Sequence, residues 1–297
     1  MRTRVLHFDV FTSECGKGNP AGIVLLPHHL DTHAMQAVAA ATGFGDTAFL
    51  VPPRAADFGI RYFSPRREID LCGHATIAAA TAIHATGLLG NGAREAMFSL
   101  ETRAGILPIA IQPGLNGDPL VVMSQASSRF RPFGGNRQLL CRALHTSEED
   151  LHPTLPIVYG STGRWTLIVP LRSLDAVRRL KPQTENFPAA LCDLPEASIH
   201  PFSTEVVGVG AHLHARHFSA PSSGTIEDPV TGTASGVLGA YYQEFMGGRD
   251  GTPQPLVVEQ GYEVGREGRV LVWAEKGSGG YAVRIGGSAV LAEELLC

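Results

Sequence analysis

A thiol, a glycine and an imidazole stand together in Cys72-Gly73-His74, directly ahead of the run Ala75-Thr76-Ile77-Ala78-Ala79-Ala80. An imidazole titrates near neutral pH and can carry a proton in either direction. A thiol at a helix start is shifted toward the nucleophilic, basic thiolate. Two carboxylates occur in similarly compact settings: Asp46 in Gly45-Asp46-Thr47-Ala48-Phe49-Leu50, and Asp228 in Glu227-Asp228-Pro229, just before a second small-residue helix. The first amides of a helix lack intrahelical partners and carry partial positive charge, and glycine there lets a ligand approach the backbone. Such a helix end can hold a carboxylate while a nearby acid or base works on it. The chemistry this suits is proton abstraction alpha to a carboxylate or along a conjugated one. Each residue also has a plainer role: a cap for His74, a turn for Asp46, a small hydrophobe for Cys72.

What raises the chemical role is that the pattern occurs twice. Arg61-Tyr62-Phe63-Ser64-Pro65 precedes the first helix start, and Arg216-His217-Phe218-Ser219-Ala220-Pro221 precedes Val230-Thr231-Gly232-Thr233-Ala234-Ser235. With Gly73 set on Gly232, Cys72 falls on Thr231, His74 on Thr233 and Thr76 on Ser235. Each copy reads as strand, loop, small-residue turn and a helix of Ala, Gly, Ile, Val and Leu. A helix apolar on nearly every face must be buried all round, which a sheet curved around it would achieve. The repeat therefore predicts two similar domains, each a curved, mostly antiparallel sheet around a central helix, with the two helix starts meeting at one cleft. The boundary is expected at Gly114–Gly117, giving residues 1–117 with 286–297 as one domain and 118–285 as the other.

Elsewhere the pattern predicts strands at Val5–Phe11, Ala21–Leu26, Thr47–Val51, Gly59–Phe63, Ala96–Glu101, Gly105–Gln112 and Trp165–Val169. Helices are predicted at Asp31–Ala41, with Asp31 as N-cap and Gly43 as the stop, and at Gln138–Leu144, Leu174–Leu180 and Gly236–Phe245. The last 45 residues read as three antiparallel strands. Strands and helices do not alternate regularly, so the class is α+β rather than a doubly wound parallel sheet.

Composition narrows the function. The chain has 297 residues, 44% hydrophobic and 18% charged, with a net charge of −4, so neither a nucleic-acid partner nor a membrane is expected. The opening stretch turns polar within a dozen residues, unlike a secretory leader. Five cysteines, odd in number and without a close pair, point to a reducing cytoplasm rather than a disulfide framework. His28-His29 and His212-x-His214 have no partner at zinc-like spacing, so no metal is expected.

The motifs together resemble the phenazine biosynthesis PhzF-like family. The resemblance rests on Asp9-x-Phe11-Thr12 with Gly18-Asn19-Pro20-Ala21-Gly22, on Asp46 to Leu50, on Arg61 to Pro65 with Cys72 to Thr76, on Glu227 to Ala234, and on Gln260-Gly261 with Gly265-Arg266. It spans nearly the whole chain in order. It implies the two-domain fold of diaminopimelate epimerase and proline racemase, and catalysis without cofactor or metal. In the isomerase that names the family, a glutamate moves the proton and a histidine, an aspartate and a serine assist. Those roles fall on Asp46, His74, Asp228 and Thr233. Aspartate for glutamate is a departure, one methylene shorter.

The sequence thus predicts a cytoplasmic, cofactor-independent isomerase, expected as a homodimer, acting on a small carboxylate. Asp46, His74 and Asp228 are the catalytic candidates, and Gly73, Gly232, Thr233 and Cys72 the substrate-binding ones. Two alternatives stand: an amino-acid racemase or epimerase using Cys72 as base, and a catalytically weakened metabolite-binding protein. The repeat puts Thr231 opposite Cys72, which speaks against a two-thiol racemase.

Overall fold

The computed structural model describes residues 2–25, 30–90, 94–114, 117–248 and 254–297. His28, His29 and the end of the strand expected at Ala21–Leu26 lie outside the described residues. The chain forms two compact units, 1–124 with 286–297, and 125–285. The division falls after Ser124, beyond the Gly114–Gly117 stretch, because the strand that follows that stretch pairs back into the first unit.

The first unit contains β1 (Arg4–Val10), β2 (Asn19–Val24), α1 (Thr32–Thr42), β3 (Asp46–Val51), β4 (Phe58–Phe63), β5 (Glu68–Ile69), α2 (Gly73–Ala85), β6 (Ala96–Thr102), β7 (Gly105–Pro113) and β8 (Pro119–Ser124). The second contains β9 (Arg129–Pro132), α3 (Arg137–Leu144), β10 (Val158–Ser161), β11 (Trp165–Pro170), α4 (Leu174–Arg178), α5 (Phe187–Leu191), β12 (Ser198–Ser203), β13 (Leu213–Ala215), α6 (Gly232–Phe245), β14 (Leu256–Gln260), β15 (Gly268–Gly277) and β16 (Gly280–Gly287). The C-terminal β17 (Ala289–Leu296) returns to the first unit and pairs antiparallel with β1. The C-terminal region therefore carries four strands where three were expected. Most ladders are antiparallel; β2–β3, β4–β6, β11–β12 and β13–β14 are parallel.

In the first unit, α2 packs against β1, β2, β3, β8 and β17, and every residue from Ala75 to Ile83 is buried. Small side chains let strands approach this helix from several sides, and apolar burial rather than intrinsic propensity stabilises it. In the second unit, α6 packs against β10 and β15, with Ala234 to Tyr241 buried throughout. It starts at Gly232, as the repeat implies and four residues before the start its apolar pattern alone gives, and α4 stops at Arg178, short of Leu180. The first helix matches its signals: the Asp31 side chain accepts from the Ala34 amide, and Gly43 ends the helix at φ 73°.

The Asp9…Gly22 motif is a folding device. Asp9 is fully buried and its Oδ2 accepts the Gly16 amide at 2.6 Å, tying down the loop between β1 and β2. Gly18 has φ +61°, and a Cβ there would stand 2.1 Å from the Val10 carbonyl oxygen, so only glycine fits.

Candidate active site

Three of the expected site residues meet in the first unit. Asp46 is the first residue of β3, Cys72 is the N-cap of α2, and His74 is that helix's second residue. The Cys72 Sγ donates to Asp46 Oδ2 at 3.1 Å and lies 3.4 Å from His74 Nδ1. His74 Nε2 is 3.8 Å from the same Asp46 oxygen. The Cys72 side chain is buried, while the Asp46 and His74 side chains keep 18% and 12% exposure, so the cluster is reachable from solvent.

The start of α2 is held from beneath. Thr76 Oγ1 donates to the Cys72 carbonyl at 2.7 Å, so the Tyr62 hydroxyl, 2.7 Å away, donates to Thr76 in turn. Burial pushes the Tyr62 phenol well up and keeps its proton in place. The Cys72 side chain makes no capping hydrogen bond to α2. A Cβ on Gly73 would meet nothing within 4 Å, so no packing constraint demands glycine there.

The second unit builds its own version. Thr231 is the N-cap of α6 and likewise provides no side-chain cap; its hydroxyl donates instead to the Asp228 carboxylate in a short hydrogen bond. Gln260, at the end of β14, clamps this turn: its Nε2 donates to the Asp228 carbonyl at 2.6 Å and its Oε1 accepts the Thr231 amide at 3.1 Å. Gly261 follows at φ +94°, where a Cβ would stand 2.2 Å from the Arg266 carbonyl, which accounts for the Gln260-Gly261…Arg266 motif. The Thr233 carbonyl accepts from Thr162 Oγ1 at 3.3 Å. His217, whose carbonyl accepts the Asp228 amide at 3.0 Å, is buried beside His200 with 3.3 Å between their Nδ1 atoms. Burial pushes His217 down to about 4, with Asp228 pulling the other way.

The sequence reading missed one device common to both halves. Arg61 forks onto Glu68 at 2.8 and 2.9 Å, and Arg216 forks onto Glu227 at 2.9 and 2.7 Å. Each guanidinium also lies over the phenylalanine two residues on, Phe63 at 5.1 Å and Phe218 at 4.8 Å. In each unit the glutamate pairs across from that phenylalanine, Phe63 with Glu68 and Phe218 with Glu227. Both glutamates stand five residues before the aligned glycines, a signal present in the repeat itself. Bidentate Arg–carboxylate pairs are rigid and geometrically specific, so each fork fixes the loop that delivers a helix start.

Two units, each with a mostly antiparallel sheet around a buried helix that begins at a small-residue turn, define the diaminopimelate epimerase-like fold. The chain belongs to the phenazine biosynthesis-like (PhzC-PhzF) family, whose profile it matches over residues 8–294. A Bacillus subtilis relative named "Uncharacterized isomerase YfhB" is 45% identical over 97% of this chain and 96% of its own. The trans-2,3-dihydro-3-hydroxyanthranilate isomerase of Pseudomonas aeruginosa is 30% identical, covering 92% of this chain and 90% of that one. The crystal structure of a Bacillus anthracis phenazine biosynthesis protein of the PhzF family superposes with a TM-score of 0.94 at 43% identity, over 100% of this chain and 99% of that one. A hydroxyproline epimerase from Agrobacterium vitis shares the fold, with a TM-score of 0.62 at 14% identity over 99% of this chain and 92% of that one. This chain is an isomerase of that family. Among the described residues no helix is long and apolar enough to cross a membrane.

Proposed function

We propose that the chain moves a proton on a small carboxylate-bearing metabolite without a cofactor, with Asp46 as the proton-moving group. The observation that carries this reading is the meeting of Asp46, Cys72 and His74 at the start of α2. The amides at Gly73 and His74 supply donors for a substrate carboxylate. Ionised Asp46 takes a proton from a carbon activated by that carboxylate and, once protonated, returns it at another position. His74 donates to the charge that develops between the two steps. Asp228, Gly232 and Thr233 make the equivalent turn of the second unit, a carboxylate held by Thr231 beside the first amides of α6. The name of the Pseudomonas relative supports a conjugated ring carboxylate as the substrate class. The five free thiols suit a reducing cytoplasm, and a homodimer is the expected assembly.

One observation favours a second reading. The Cys72 thiol donates to Asp46, and passing that proton to the carboxylate leaves a thiolate that can serve as the base of a one-thiol racemase. The wild-type test is common to both: incubation in heavy water with a panel of small amino, hydroxy and cyclohexadiene carboxylates, followed by mass spectrometry. Deuterium incorporated into a member of the panel supports proton transfer. Saturable binding with no exchange in any bound compound contradicts it and leaves the metabolite-binding protein.

A further inference from the structure

Asp46 is 26 residues from Cys72, so no spacing rule joins them, yet three different ligand types converge here. Among the described residues this is the one group of three or more His, Cys, Asp or Glu side chains whose ligand atoms come together, all within 4.8 Å of one another. The edges of the triangle are 3.1 Å from Cys72 Sγ to Asp46 Oδ2, 3.8 Å from Cys72 Sγ to His74 Nε2, and 3.8 Å from His74 Nε2 to Asp46 Oδ2. Tetrahedral zinc bound through sulfur, nitrogen and oxygen separates its ligand atoms by about 3.4–3.6 Å, as ordinary zinc–ligand bond lengths require. The observed edges depart from that by a few tenths of an ångström in both directions, which side-chain rotation accommodates.

We propose that Asp46, Cys72 and His74 form a three-ligand site for a borderline divalent cation, Zn²⁺ above all, and that the bound ion blocks this helix start to the carboxylate substrate. The donor set fits the ion: thiolate, imidazole and carboxylate are its usual ligands, and hard cations such as Mg²⁺ disfavour sulfur. The three groups sit on fixed elements, the first residue of β3 and the first turn of α2, so little ordering accompanies binding. The form of Cys72 that ligates is the thiolate. The balance is simple: the Cys72 thiol loses its proton to solvent as the Zn–S bond forms, and no electron is transferred. Three protein ligands leave a fourth position for water. The ion is an inhibitor in this account and takes no part in turnover. The blocking rests on the function proposed above; the binding does not.

Cobalt(II) titration of the chelator-treated full-length protein reads the site directly, because thiolate ligation gives an intense near-ultraviolet charge-transfer band. One equivalent should bind with that band, Zn²⁺ should displace it, and Mg²⁺ should not. Cys72→Ser should abolish the band, His74→Ala should weaken binding at least about tenfold, and replacing the exposed Cys192 by Ser should change nothing. A wild-type measurement guards against misfolded variants: Zn²⁺ should slow iodoacetamide alkylation of Cys72 at least about tenfold, followed by peptide mass spectrometry, and leave Cys192 unaffected. Absence of the band, its survival in Cys72→Ser, or unchanged Cys72 alkylation overturns the site. If the site binds cobalt but Zn²⁺ leaves proton exchange undiminished, blocking is overturned. Exchange missing even without metal counts against the proposed function, not against the metal site.

Discussion

Cys72 separates two mechanisms that share one geometry. In the carboxylate mechanism the thiol is a neighbour of Asp46, and Cys72→Ala keeps most of the turnover. In the one-thiol mechanism the same change removes the base, and a loss of about 10³-fold, equivalent to about 4 kcal/mol of transition-state stabilisation, is expected. The account here predicts the smaller effect, measured as the exchange rate on any substrate the panel finds. The Cys72-Gly73-His74 part of this cluster was legible because its members are adjacent and open a helix. Asp46 stood out in its own compact setting, but no spacing joined it to the other two, since β3 brings it in from a distant part of the chain; the family resemblance gave it the proton-moving role. Gln260 was quoted as part of a motif without a role, because a clamp made by a glutamine on a turn 29 residues away leaves no local pattern.

The repeated arginine fork sets how each helix start is delivered, and the two copies differ in burial. Arg216 is 6% exposed and also donates to the carbonyls of Val177 and Leu180 at 3.2 and 2.9 Å. Arg61 is partly exposed and shares Glu68 with Arg103. Arg216→Ala strands the largely buried Glu227 carboxylate and the carbonyls of Val177, Arg178 and Leu180, and should destabilise by about 3–5 kcal/mol. Arg61→Ala should lose about 1 kcal/mol, as for solvent-screened pairs. Urea titration of the two variants checks the ranking, and equal losses would refute it. At this scale much was readable. The helix Thr32–Thr42 carried its own cap and stop, and the Arg-x-Phe-Ser repeat marked both helix starts. The apolar pattern alone began α6 at Gly236 because Gly232, Thr233 and Ser235 have poor helix propensity, which burial overrides, whereas the repeat put its start at Gly232, where it lies. Strands such as Ser198–Ser203 escaped notice because His200 and Pro201 break the apolar pattern while being buried.

In the molecule as a whole, stability is linked to pH through His214, buried between Glu259 at 2.9 Å and Glu263 at 3.0 Å. Burial alone would lower His214, but the hydrogen bonds to both glutamates outweigh it and raise the imidazole above its ordinary 6.5. Burial pushes the two carboxyls up, and the bonds from His214 overcome it and hold both below 4.5. A raised histidine gives stability that is complete below its unfolded pKa and lost as pH climbs through the folded one; a lowered carboxyl gives stability lost as pH falls. The cluster therefore contributes most between about pH 4.5 and 6.5. His214→Gln should lower Tm most in that window and progressively less at higher pH; a difference that grows above pH 7 would contradict the assignment. The central claim is that Asp46 moves the proton, and Asp46→Asn tests it most directly, because the amide keeps size and hydrogen bonding but cannot shuttle a proton. With the substrate identified by wild-type exchange, solvent deuterium incorporation and binding are measured together in heavy water. The account predicts that Asp46→Asn abolishes incorporation while Kd stays within about threefold, and undiminished incorporation would contradict it and move the role to His74 or Asp228.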